Sequence, residues 1–277
     1  MPEKRPLILF TNDDGIDSPG LWSAVKALAG LGDRLVVAPR VQQSGTGRSL
    51  ASSGIATPGR LYPIEVPDGE TWVAFAVDGT PARSVQHGAF EVADRRPSLV
   101  VSGINYGDNT GNGVTISGTV GAALEGASMG IPSLAISQQT RQDLHLTYSE
   151  DVDFSAAAYF ARLFGRWLLE TTPLPDDLDL LKVDVPIAAT AETPWKISRL
   201  SRNRTYWPVM PERTSYDEDG HIGYQFGVKP SETEPDSDIR TVWQEKVVSV
   251  TPMSLDMTAR TDFNHLRQSI NEQSQKQ

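Results

Sequence analysis

The chain has no cysteine, which excludes disulfides, thiolate catalysis and zinc–thiolate sites together. Histidine is scarce, with four in 277 residues. His87, His145, His221 and His265 share no metal-ligand spacing, so each is expected to fill a bland surface or core role. No apolar run approaches the length of a membrane span. The segment from Met1 to Pro6 leads into only four strongly apolar residues, far short of a signal-peptide core. Positive charge is also in deficit: 25 Lys+Arg against 35 Asp+Glu leave a formal charge of −10. A grip on a nucleic-acid duplex or an anionic membrane is therefore not expected. A phosphate-bearing substrate stays compatible, because a bound cation and oriented backbone N–H groups reverse the local field. Together these features lead to the expectation of a cytoplasmic protein with neither nucleic acid nor membrane as partner.

What is present begins with Pro6-Leu7-Ile8-Leu9-Phe10-Thr11-Asn12-Asp13-Asp14-Gly15. Leu7 to Phe10 is too short for a helix and too apolar for an edge, and reads as a buried strand. Gly15 permits a sharp exit, and Ser18-Pro19 reads as N-cap and first residue of a helix to about Leu31. Asp13 and Asp14 then stand at the carboxyl end of a first strand, where open α/β sheets place their ligands. Paired carboxylates there call for a compensating cation, most simply a hard divalent metal. A solvated Asx-type turn is the bland alternative.

The pattern continues as alternating strands and helices. Arg34 to Pro39 reads as a second buried strand, Trp72 to Val77 as a strand and Pro81 to Asp94 as a helix. Leu99 to Ser102 is a strand, Val120 to Met129 a small-residue helix and Pro132 to Ser137 a strand. Asp151 to Glu170 is an amphipathic helix and Leu180 to Val185 a strand. Such alternation implies an α/β fold with a Rossmann-like, mostly parallel sheet flanked by helices. The core is assigned to residues 1–198. Residues 199–277 form a C-terminal extension of little periodicity, read as an oligomerisation appendage whose late strand, Val247 to Val250, returns to the core. Trp207 and Trp243 are candidates for a subunit interface, and Asn271 to Gln277 is expected to fray.

Three strands end in turn-prone polar loops: Asn12 to Gly15, Ser44-Gly45-Thr46-Gly47 and Gly103-Ile104-Asn105. In a parallel sheet these loops emerge on one edge and can converge. Their carboxylates, hydroxyl and amide carbonyl are hard oxygen donors, suited to Mg²⁺, Mn²⁺ or Ca²⁺. Ser117-Gly118-Thr119 precedes a helix and offers hydroxyls and free N–H groups to an anion.

These segments occur in a recognisable order. Asn12-Asp13-Asp14-Gly15 with Pro19-Gly20, then Val36-Val37-Ala38-Pro39 with Ser44-Gly45, come first. Val101-Ser102-Gly103-Ile104-Asn105 with Gly107, Asn109 and Gly111 follows, then Ser117-Gly118-Thr119-Val120-Gly121-Ala122-Ala123 with Glu125-Gly126. In this order they resemble the signatures of the SurE family, the survival-protein-E 5′/3′-nucleotidases, over about Leu7 to Ser137. The resemblance implies a divalent-metal-dependent phosphomonoesterase hydrolysing nucleoside monophosphates through a metal-activated water. It implies one cation per subunit, Mg²⁺ or Mn²⁺ first and Ca²⁺ as an alternative, held by Asp13, Asp14, Ser44 and Asn105, with Asp13 and Asp14 catalytic. It places Asn109 and Ser117, Gly118 and Thr119 along a phosphate pocket, to which Asn12 and Gly45 are added. It implies a homodimer or homotetramer.

Three positions depart from the family pattern. Ile116 stands where a tyrosine often precedes Ser-Gly-Thr and is expected to reshape one pocket wall. Arg48 replaces Asn or His in the Ser-Gly loop, either as a phosphate contact or as a solvated side chain. Lys182-Val183-Asp184-Val185-Pro186 stands for Asn-Val-Asn-Val-Pro. Two other readings stay open: a phosphatase using Asp13 as covalent nucleophile, which adjacent rather than alternate aspartates disfavour, and a nucleotide-binding module without turnover. A dinucleotide dehydrogenase lacks its Gly-x-Gly-x-x-Gly.

Overall fold

A computed structural model describes residues 5–50, 60–66, 73–145, 147–149, 151–171 and 173–274. The first strand, β1 (Leu7–Thr11), is buried at every position. Its alternate side chains feed two cores: Ile8 and Phe10 enter one apolar cluster, Leu7 and Leu9 another on the opposite face. Strand β1 lies between β2 (Asp33–Pro39) and β5 (Leu99–Tyr106), parallel to both. Beyond β2 come β4 (Val73–Val77), parallel, and β3 (Leu61–Pro63), antiparallel at the edge. Beyond β5 come β6 (Ser133–Gln138) and β7 (Leu180–Val185), both parallel. Trp72, expected to open β4, lies outside the described residues, as do residues 51–59 of the polar loop.

Helices cover both faces. Helices α1 (Pro19–Ala27) and α4 (Ser155–Glu170) pack on one side, with Leu21, Phe160 and Leu168 fully enclosed. On the other, α2 (Pro81–His87) packs against α3 (Gly118–Ser128). Helix α1 ends at Ala27 rather than Leu31, because the chain turns back through Gly30 at φ 85°. The helix expected over Pro81 to Asp94 widens at Gly88–Val92 into a turn in which Ala93 N–H bonds the carbonyl of Gly88. Helix α4 starts four residues later than expected from Asp151, where Asp153 accepts from Ser155 N–H at 2.8 Å.

The C-terminal stretch contributes to the same sheet. After β8 (Trp195–Ile197) the chain leaves as a two-stranded hairpin, β9 (Tyr206–Val209) and β10 (Gly223–Phe226). It returns as β11 (Val248–Met253), which inserts between β7, antiparallel, and β8, parallel. The nine-stranded order is β3-β4-β2-β1-β5-β6-β7-β11-β8. Where fraying was expected from Asn271, the last helix, α5 (Phe263–Ser274), runs on to Ser274 with none of its residues buried.

Candidate active site

The chain builds outward from β1 through β2 to β4, then returns to β5 on the other flank of β1. The crevice between the carboxyl ends of β1 and β5 is thus the topological switch point of the sheet. Thr11 and Ser102 are register partners there. A bulge between Ser102 and Asn105 interrupts the β5–β6 register just before Asn105, the kind of irregularity that re-aims a side chain at a sheet rim.

The turn after β1 is closed by Asn12, whose amide donates to the Gly15 carbonyl at 2.9 Å and accepts from Gly15 N–H at 3.2 Å. This spends both polar ends of Asn12 on the turn and presents Asp13 and Asp14, 4% and 1% exposed. Asp13 accepts from the Thr119 hydroxyl and is further favoured as an anion by the backbone amides of Gly118 and Thr119. Burial outweighs these donors and pushes its carboxyl up to about 6. Asp14 accepts from Tyr106 N–H and from the Gln42 amide, each at 3.2 Å. Burial, then the neighbouring charge of Asp13, hold it well above the usual carboxylate range. The Tyr148 hydroxyl fixes the Asp14 carbonyl at 2.7 Å.

The amino end of α3 closes on Asp13 from the other side. Ser117 caps the helix through Val120 N–H at 3.1 Å. Gly118 comes so near that a Cβ there would lie 2.6 Å from Cβ of Asp13, which only a residue without one permits. Gly121 provides the same clearance for the Ser44 loop, since its Cβ would fall 2.3 Å from the Gly47 carbonyl oxygen. That loop is pinned to both partners: Gln43 N–H bonds the Asp13 carbonyl at 2.7 Å and Gly47 N–H the Ile116 carbonyl at 3.0 Å. Ser44 and Gly45 are left exposed at its tip.

A cavity of about 420 Å³ opens above these groups, within the size range of small-ligand sites. Asp13, Ser44, Gly45, Asn105, Asn109 and Ser117 line it, as does Ile116. Asn12, Asp14, Gly118 and Thr119 are buried and support that lining rather than belonging to it. Asn105 spends its amide N–H groups on the carbonyls of Tyr106 and Gly107 at 3.3 and 2.8 Å. The Asn109 amide donates to the Ser137 hydroxyl at 2.8 Å. Arg48 takes no part in the lining; it turns to the buried Glu125 at 2.7 Å.

The rest of the wall was not read from the sequence. It comes from the β9–β10 hairpin, through Arg204, Tyr206, Ile222 and Tyr224, and from His145. The ring of His145 stands edge-on to Tyr206 and stacked with Tyr224, at 5.9 and 6.2 Å, and burial lowers its basicity. The only hint was the cluster of tyrosines and tryptophans in an otherwise polar stretch.

A doubly wound α/β protein with an acidic site at its switch point, facing a helix N-terminus, is the class that this arrangement defines. Residues 8–206 match the family model described as Survival protein SurE. The chain is 43% identical over 261 residues to the protein named 5′-nucleotidase SurE of Thermococcus kodakarensis, covering 94% of this chain and 96% of that one. The Methanocella arvoryzae protein of the same name is 41% identical over 257 residues, covering 91% and 93%. The crystal structure of the SurE protein from Aquifex aeolicus superposes with a TM-score of 0.74 at 31% identity, covering 97% of this chain and all of that one. The chain belongs to the SurE family.

Proposed function

We propose that this chain is a phosphoric monoester hydrolase acting on nucleoside monophosphates, a 5′/3′-nucleotidase that works with one divalent cation. The observation that carries this reading is the pair of adjacent carboxylates, desolvated at the switch point and packed against the amino end of α3, with Asp13 lining a cavity of about 420 Å³. The names of the relatives point the same way.

The residues fit a hard cation. Burial raises the proton affinity of both carboxylates and the charge of Asp13 raises that of Asp14 further, and the other groups acting on them are amides and a hydroxyl rather than a lysine or arginine. Among the described residues no group of three or more His, Cys, Asp or Glu is placed to hold a metal ion, so neutral oxygens would complete the coordination. Asp13, Asp14, Ser44 and Asn105 are the proposed ligands; Mg²⁺ or Mn²⁺ suits an all-oxygen set, with Ca²⁺ as an alternative. When bound, such a cation polarises a phosphoryl oxygen and lowers the pKa of water.

The chain's own groups do the rest. The side chains of Ser117 and Asn109, which line the cavity beside the amino end of α3, hold the anionic phosphoryl oxygens, as positioning and electrostatics dominate phosphoryl transfer. Thr119 keeps Asp13 anionic and oriented, ready to hold a proton taken from water. His145, Tyr206 and Tyr224 wall the cavity against bulk solvent and offer the nucleoside an aromatic surface.

The reading includes a homodimer or homotetramer formed through the C-terminal extension, on which Phe263, Leu266 and Ile270 of α5 are 59%, 47% and 56% exposed. It includes a cytoplasmic location; among the described residues no helix is long and apolar enough to cross a membrane.

The test is phosphate release from a panel of 5′- and 3′-nucleoside monophosphates with Mn²⁺, Mg²⁺ or EDTA, on wild type and Asp14→Asn. Release that both EDTA and the substitution abolish supports the reading. No release from folded protein with any metal overturns it, and tight nucleotide binding in that case would favour a module without turnover. Trapping of an aspartyl-phosphate would overturn the direct attack of water.

A further inference from the structure

The loop that carries Asn109 to the cavity is held from behind by charge. Asp184, in β7, accepts the backbone N–H of Asn109 at 2.7 Å. Asp238 accepts the backbone N–H of Gly111 at 3.0 Å. Both carboxylates meet a single ammonium, that of Lys182, and all three side chains are fully buried. Asp238 also takes the amides of Ser201 at 3.0 Å and Ile239 at 2.8 Å, so the same ion ties down the segment leading into the β9–β10 hairpin. Just before the first anchored amide, Asp108 accepts from Thr110 at 2.6 Å, from Trp243 at 3.0 Å and from Tyr206 at 3.2 Å.

A buried ion cluster is a poor device for stability, because apolar residues of the same size serve as well or better. It is a good device for fixing the position of backbone groups, since each carboxylate has directional demands. Here the demands fall on Asn109 and Gly111, two residues apart. The amide of Asn109 is then oriented by the Ser137 hydroxyl at 2.8 Å.

We propose that Lys182 and Asp184 are positioning residues for anion binding: Asp184 through the Asn109 amide, and Lys182 through Asp238 on the Gly111 amide, set the loop that presents Asn109 to the phosphate. The proposal rests on the phosphomonoesterase reading for the identity of the anion. It also gives a use to the departure from Asn-Val-Asn-Val-Pro, since an ammonium and a carboxylate replace two asparagines at the same register.

The experiment compares Lys182→Asn/Asp184→Asn with Lys182→Asn/Asp184→Leu. Both take the ammonium from Asp238 alike, neither leaves an unpaired charge at position 182 or 184, and they differ in whether position 184 still accepts from Asn109. Calorimetry with Mn²⁺ alone, calorimetry with inorganic phosphate in the presence of Mn²⁺, and kcat and KM for a 5′-nucleoside monophosphate are measured on full-length protein. The expected result is that the Asn/Asn variant stays within about threefold of wild type. The Asn/Leu variant loses about tenfold in phosphate affinity and in KM, with Mn²⁺ affinity unchanged, as one hydrogen bond to a positioned amide is worth. Two variants that bind phosphate equally well, whatever their melting temperatures, overturn the proposal and leave the nucleotidase reading intact. A wild type that binds phosphate with this pattern but releases none overturns the nucleotidase reading alone. A wild type that does neither overturns both.

Discussion

The Thr119 hydroxyl donates to Oδ1 of Asp13, joining two residues 106 apart in the chain. This bond links the end of β1 to the first turn of α3, and it lowers the proton affinity that burial imposes on Asp13. Thr119→Val removes the donor and keeps the shape. A hydrogen bond to a charged group is worth roughly 1.5–3 kcal/mol, so Mn²⁺ affinity at pH 7 is expected to fall about tenfold or more, and phosphate release with it. Thr119→Ser is expected to retain most of both. Calorimetric Mn²⁺ titration of the two variants checks this; equal affinity in the valine variant and wild type would contradict it.

The raised carboxyl of Asp13 also predicts how the metal-free protein responds to pH. Between the ordinary 3.8 and about 6, the folded protein holds a proton that the unfolded chain releases. Stability attributable to this residue is therefore present at low pH and is lost as pH rises through about 6. The size is roughly 3 kcal/mol for a shift of about two units. Denaturant midpoints in EDTA at pH 4.5 and 7.5, read as wild type minus Asp13→Asn, isolate it from the other carboxylates. The difference is expected to move against wild type at pH 7.5, and Mn²⁺ at that pH is expected to reverse the movement in wild type only, since deprotonated ligands are what a cation binds. A difference independent of pH would count against the desolvated-pair account.

Gly118 is a position where a single methyl group would strike a site carboxylate directly. Its added Cβ would stand 2.6 Å from Cβ and 2.8 Å from Oδ2 of Asp13, and both β1 and the first turn of α3 are buried. Gly118→Ala is expected to cost about 1–3 kcal/mol of stability through overpacking. Activity is expected to fall at least a hundredfold because the displaced group is Asp13 itself. Thermal melts and phosphate release on one preparation separate the two effects; a variant that is destabilised yet fully active would show that Asp13 tolerates the shift.

The parts of this molecule that sequence reveals are those set by local pattern. Leu7–Thr11 and Leu180–Val185 are buried throughout and Leu99–Tyr106 at every position but Asn105, so their apolar residues give them away even though Lys182 and Asp184 sit inside the last. The polar loops announce themselves because Gly, Asn and Asp cluster at strand ends. Contacts across long separations leave no such mark. The Gln42 and Tyr148 bonds to Asp14 span 28 and 134 residues. The role of Arg48 depends on Glu125, 77 residues away. The β9–β10 hairpin escapes for another reason: its strands are four residues each and half exposed, so neither a period of two nor a buried run develops. Helix α5 has the helical spacing of Phe263, Leu266 and Ile270, but over a single short stretch within a strongly polar one.

That hairpin supplies the last prediction. Tyr224 lines the same cavity as Asp13 and Asn109, edge-on to Tyr206 at 5.6 Å and stacked with His145 at 6.2 Å. Its neighbours hold the ring in place while 38% of the residue stays open to the cavity and solvent. Such a fixed aromatic face suits a nucleobase, whereas the phosphate end is built from groups on β1, β5 and α3. Tyr224→Ala is therefore expected to raise KM for nucleoside monophosphates about tenfold, the range of a lost aromatic contact. It is expected to leave kcat and the KM for ribose 5-phosphate, which has no base, nearly unchanged. Tyr224→Phe keeps the face and loses only a 3.3 Å contact to His145, so it should behave as wild type. An equal rise in KM for both substrates would place Tyr224 at the sugar or phosphate and leave the base to be recognised elsewhere on the wall.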